Sequence, residues 1–165
     1  MNYPKAKGWA GAFLCLALAA LVGGTYHGFP QLYPRLLWAA AEVFAGLASF
    51  LMVVAAARAT GYFPRTLFCL AAVKLVLYLD WILEHDEFIA VVIDSGSALL
   101  VVAVLHAIRR DPAWRWMVGG VAVSVVGAGV QTLGLAPHPH FNHNDLYHVI
   151  QIAAMWLFYR GAKLL

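Results

Sequence analysis

Residues Leu36 to Ala57 read LLWAAAEVFAGLASFLMVVAAA, a run in which Glu42 is the one charged side chain. About 20 mostly apolar residues in a helix rising about 1.5 Å each cross the hydrocarbon of a bilayer. A helix also satisfies its own backbone hydrogen bonds, which hydrocarbon cannot do for it. The run therefore reads as a transmembrane helix. Working outward, similar stretches run from Trp9 to Tyr26, Leu67 to Leu83, Phe88 to Ile108, Trp114 to Leu133 and Asp145 to Tyr159. The breakers between them are Gly28-Phe29-Pro30 with Pro34, Gly61 with Pro64, Asp111-Pro112, and Pro137 with Pro139.

Composition agrees with this reading. Of 165 residues, 63% are hydrophobic and only 12% charged, which is not the balance of a water-soluble domain. The expected architecture is an all-α polytopic bundle of six transmembrane helices forming a single domain over residues 1–165. The first run follows Lys5 and Lys7 and contains Ala17-Leu18-Ala19, features shared with a secretory signal. Its length is enough to span, and it is read as a helix.

The basic residues set the orientation. With the N-terminus in the cytoplasm, the inner side collects Lys5, Lys7, Arg58, Arg65, Arg109, Arg110, Arg115, Arg160 and Lys163, and the outer loops keep only Arg35. The positive-inside rule then places both termini in the cytoplasm, with a cell (inner) membrane as the expected location. The same positive residues are scattered over four inner segments, which argues against nucleic acid as a partner. The expected partners are the bilayer and a lipid-like substrate.

The acids and histidines fall on the other side. Glu42 in the second helix and Asp94 in the fourth each lie about 10 Å below the outer surface, and Lys74 in the third lies deeper. Ionisable groups at such depth normally face the protein interior and mark a site. The structural alternative is mutual neutralisation of Glu42, Asp94 and Lys74. The richest polar stretch is Pro137 to Gln151, PHPHFNHNDLYHVIQ, which holds His138, His140, His143 and His148. On a continuous helix, His143 and His148 would sit about 140° apart. With Asn144 as N-cap and Asp145 behind it, the pair would instead occupy positions that pack together, and His27 could join them on one ion. His138 and His140 read as solvated or as supports to the ligands.

A histidine closing one transmembrane helix, an acid in the next, and a close histidine pair opening the last resemble the CREST superfamily of alkaline ceramidases, progestin and adipoQ receptors and related membrane hydrolases. The matching stretches are GTYHGF around His27, Glu42, and HNDLYHVIQ ahead of a helix ending in FYRG. The resemblance implies zinc held by His27, His143 and His148, with the six helices corresponding to the last six of the family's seven. It further implies hydrolysis of a lipid amide or ester, ceramide-like in the family. Glu42 is the first choice of general base and Asp94 the second, as base or as a group orienting a ligand. The chain departs from the family in having four residues rather than three inside the final pair. It also has Gly23 where the family has serine, leaving Thr25 or Ser95 as substitutes, and Glu42 where it has aspartate.

Other chemistries have less to rest on. Cys15 and Cys69 form no C-x-x-C pair and read as small buried hydrophobes. Gly119-Gly120 and Gly127-x-Gly129 read as close helix packing. Two competing functions use the same polar residues: a haem carrier ligated by His27, His85, His106 or His148, and a transporter in which Lys74 or Glu42 relays a proton.

Overall fold

A computed structural model describes residues 3–29, 31–85, 88–138 and 140–165, with side chains from Gly8 onward. The described residues form six helices: α1 (Tyr3–Gly28), α2 (Pro34–Thr60), α3 (Pro64–Glu84), α4 (Ile89–Arg109), α5 (Trp114–Thr132) and α6 (His143–Ala162). They contain no strand, only an isolated bridge between His138 and Phe141. The protein is all-α. Four helices, α1 from Gly8, α2, α3 and α4, are long and apolar enough to cross a membrane. The 19 residues of α5 and 20 of α6 are also long enough, at about 1.5 Å each.

Two prolines expected only to end helices in fact begin them. Pro34 and Pro64 stand in the first turns of α2 and α3, where the missing N–H would have had no partner and the fixed φ is already helical. Each follows an aromatic residue in the left-handed region, Tyr33 at φ 44° and Phe63 at φ 42°. At the far end of α2, Gly61 (φ 77°) takes the left-handed position freely and returns its N–H to the Ala57 carbonyl.

The chain falls into two compact units, Met1–Val101 and Val102–Leu165, divided within α4. In the first unit α1 packs on α2 through small residues. An added Cβ at Gly8 would stand 3.0 Å from the Ala55 Cβ, and Ala12 and Ala48 are fully enclosed. Close backbone approach of this kind is how helices associate where lipid removes the hydrophobic drive. Val53, Ala71 and Ala98 then join α2, α3 and α4 in one apolar cluster. In the second unit α5 and α6 pack through glycines. The Phe158 ring sits where a Gly120 Cβ would be, at 2.8 Å, and Met117 fills the place of a Gly161 Cβ, at 2.9 Å. Gly127 faces Gln151 and Tyr147 in the same way, whereas Gly129 faces open space.

The outward faces are apolar. Leu70, Val73 and Leu77 make an exposed stripe on α3, and Leu100, Val104 and Ile108 one on α4. In water such stripes would be a liability, and in a bilayer they are the lipid-facing surface. Cys69 lies on this exposed side of α3, not buried as its apolar setting predicts. An apolar neighbourhood means only lipid or core.

Candidate functional site

Inside the first unit, α2, α3 and α4 bring together the ionisable residues picked out along the chain. Lys74 donates to the Asp94 carboxylate (Nζ to Oδ1, 2.6 Å), to the Asp94 carbonyl (2.7 Å) and to Ser97 Oγ (3.3 Å). Asp94 sits one and a half turns below the start of α4, while Lys74 is at the middle of α3, so the lysine stem reaches upward to meet it. The Asp94 side chain is only 4% exposed. Its Oδ2 is buried and has no hydrogen-bond partner among the described residues. A carboxylate held on one oxygen and open on the other is poised to accept a proton or a donor group.

Glu42, 3% exposed, approaches the same place from α2. Tyr78, one turn above Lys74 on α3, donates its hydroxyl to the Glu42 carbonyl at 2.9 Å. This contact depends on Gly46. A Cβ there would lie 2.5 Å from the Tyr78 ring, so only glycine lets the ring lie against α2. Ser49 of α2 completes the link by donating to Ser95 of α4 at 3.4 Å. The Thr25 hydroxyl, by contrast, is returned to the Leu21 carbonyl of its own helix.

Tyr78 and Ser97 are the members that sequence reasoning missed. Their spacing was the available signal: Tyr78 stands four residues from Lys74 and Ser97 three from Asp94, the separations that share a helix face.

Beside the cluster lies a crevice of about 140 Å³ between α3 and α4 with Val53 of α2 in its lining, walled by Leu67, Leu70, Ala71, Ala98 and Val101, with Lys74 and Ser97 at one end. Its walls are hydrocarbon and its end is an ammonium and a hydroxyl. Such a shape suits an acyl chain with a polar head.

The histidines are arranged differently. His27 is exposed at the end of α1, edge-on to Tyr26. His143 and His148 lie on α6, and here the expected N-cap is corrected. The cap is Asn142, whose side chain accepts from the Asn144 and Asp145 N–H groups while the Asp145 carboxylate accepts from the Asn142 N–H. The capping box was set two residues earlier because Asp145 is then three residues into the helix, where it reaches back. His143 is thus already helical, and the pair stand about 140° apart around α6. In neither unit do three His, Cys, Asp or Glu side chains among the described residues converge on a metal position. His138 and His140 are exposed, as expected, and bonded locally. His85 stacks on Trp81 with ring centroids 4.1 Å apart.

His106 has a role of its own. It is fully buried near the end of α4, with Nδ1 2.6 Å from the Asp111 carboxylate, whose other oxygen accepts from the Ala113 N–H. The pair joins α4 to the start of α5.

Apolar spans and a charged cluster enclosed by three of them define a class: an all-α membrane protein with an ionisable centre inside its helices. More particularly, residues 2–165 match the model of DUF6962, described as a family of unknown function, and the chain belongs to that family. No curated protein and no solved structure matches it.

Proposed function

We propose that this protein is a membrane-embedded hydrolase acting on a lipid amide or ester, with the Asp94–Lys74 pair as its acid–base centre. One observation carries the proposal: the apolar crevice between α3 and α4 ends on Lys74 and Ser97 beside the buried Asp94. An acyl chain lying in the crevice brings its carbonyl to the ammonium. Lys74 then stabilises negative charge as it develops on the carbonyl oxygen, in surroundings where such contacts are strong. Asp94 Oδ2 takes the proton of an attacking water, the hydroxyl oxygen bonds to the carbonyl carbon, and the proton passes to the departing amine or alkoxide. This ordering puts Asp94, which holds the Lys74 ammonium directly, ahead of Glu42.

The CREST resemblance supports the same substrate class and adds zinc, for which His27, His143 and His148 are the ligands to test. Bound zinc would polarise the carbonyl and activate water. The α6 register does not fit a shared ion for His143 and His148, so no step is routed through the metal. The proposed setting is the cell membrane with both termini cytoplasmic, as the basic residues indicate.

The test is fatty-acid release from chain-labelled lipid amides and esters by detergent-purified protein. Asp94→Asn is expected to lower the rate by about 10²-fold or more, the usual worth of a positioned acid–base group. Release that is absent from folded wild type, or unchanged in Asp94→Asn, sinks the proposal. A proton-coupled transporter is the second reading. It is favoured by α4 itself, on which Asp94, Ala98, Val102 and His106 recur every four residues and are all buried. Proton flux into proteoliposomes that is lost in both Asp94→Asn and His106→Gln would select it.

A further inference from the structure

The start of α5 and the finish of α6 carry a group of cations that rest on aromatic rings and pair with no acid among the described residues. Arg160 is held between two indoles, its Cζ 4.7 Å from the Trp116 ring centroid and 5.2 Å from that of Trp156. The two rings meet edge to face at 5.7 Å. Arg115 lies 5.4 Å over Trp114, and Lys163 lies 5.5 Å over Tyr159. Gly161 brings the helix ends this close, since Met117 and Trp116 occupy the space of its missing side chain.

The charge here is uncompensated. The acids of the second unit are Asp111, taken by His106, and Asp145, used in the capping box at the other end of α6. None of Arg115, Arg160 or Lys163 is paired with an acid among the described residues. The indole faces hold the guanidinium without taking its N–H donors, which make no hydrogen bond among the described residues, and that planar fork matches a phosphate. Tryptophans and cations at helix ends are also what the head-group level of a bilayer selects.

From this geometry we infer that the α5 start and α6 end form a binding site for the phosphate head group of an anionic phospholipid, with Arg160 as its anchor. The inference rests on α5 and α6 crossing the membrane and is independent of the hydrolase proposal. The indoles hold the guanidinium pre-oriented, which reduces the ordering that binding requires.

Native mass spectrometry of the full chain in mild detergent, with equimolar phosphatidylglycerol and phosphatidylcholine, tests it. Wild type is expected to retain phosphatidylglycerol selectively. Arg160→Gln should lose roughly fivefold of that retention, as one cation at a membrane surface predicts. Arg160→Lys should fall between them because it keeps the charge and loses the fork. Arg35→Gln, in the other unit, should match wild type. Equal retention of both lipids by wild type, or unchanged retention in folded Arg160→Gln, overturns the inference. Displacement of the lipid by inorganic phosphate also overturns it, in favour of a soluble anion. Where Arg160→Gln does not fold, Arg115→Gln decides: reduced retention supports the site and unchanged retention overturns it.

Discussion

Removing the ammonium from the Lys74–Asp94 pair should destabilise the protein more than removing both charges. In Lys74→Met the stem is kept and the charge lost, leaving Asp94, 4% exposed, as a buried carboxylate without its counter-charge. Breaking a buried pair in this way costs about 3–5 kcal/mol. Lys74 is 30% exposed along the crevice, which places the expected loss near the lower end, about 3 kcal/mol. The lost backbone contact adds little, because the Asp94 carbonyl still accepts from Ser97 at 2.8 Å. Lys74→Met with Asp94→Leu removes both charges and fills both spaces, so it should stay within about 1 kcal/mol of wild type. The assay is reversible unfolding in mixed detergent micelles, followed by helical circular dichroism for wild type, both single variants and the double. A coupling energy of about 2 kcal/mol or more is expected from the cycle. Single variants as stable as wild type, or a double variant as unstable as their sum, would show that the ion pair does not hold α3 to α4.

Three further outcomes follow from particular contacts. Gly46→Ala places a Cβ 2.5 Å from the Tyr78 ring and should destabilise by about 1–3 kcal/mol, whereas Gly129→Ala, facing open space, should be neutral or slightly stabilising. Equal melting temperatures for the two variants would refute the close approach of α2 and α3. Asn142→Ala should cost about 1 kcal/mol and speed amide exchange in the first turn of α6; unchanged protection there would return the cap to Asn144. If His148 is a metal ligand, elemental analysis should find zinc retained by His138→Ala and lost from His148→Ala, and equal contents would remove that assignment.

Much of the site was legible as a list of residues and little of it as an arrangement. Glu42, Lys74 and Asp94 stood out because a charge in an apolar run is expensive and therefore conspicuous. That Lys74 could be neutralised by an acid was legible; that the acid is Asp94, 20 residues away, was not, because it depends on how α3 and α4 are rotated about their axes. Tyr78 carries no such signal, because tyrosine is common at the ends of membrane helices. The α6 start was misplaced by two residues because Asn142 and Asn144 are equally good caps by type, and the Asp145 carboxylate decides between them.

The six helices and their approximate ends follow from the sequence alone, because crossing hydrocarbon requires a long apolar helix and leaves few other solutions. Which face of each helix meets protein did not follow. In water the polar side of a helix announces itself, but in lipid the outward face is as apolar as the core, and Cys69 reads like a buried residue although it is exposed. Only the tertiary structure set the rotations. It placed Gly46 under the Tyr78 ring and brought Lys74 to Asp94 beside an apolar crevice. The physical reason is that helix rotation is chosen by side-chain shape and by a few buried polar contacts between helices distant in sequence.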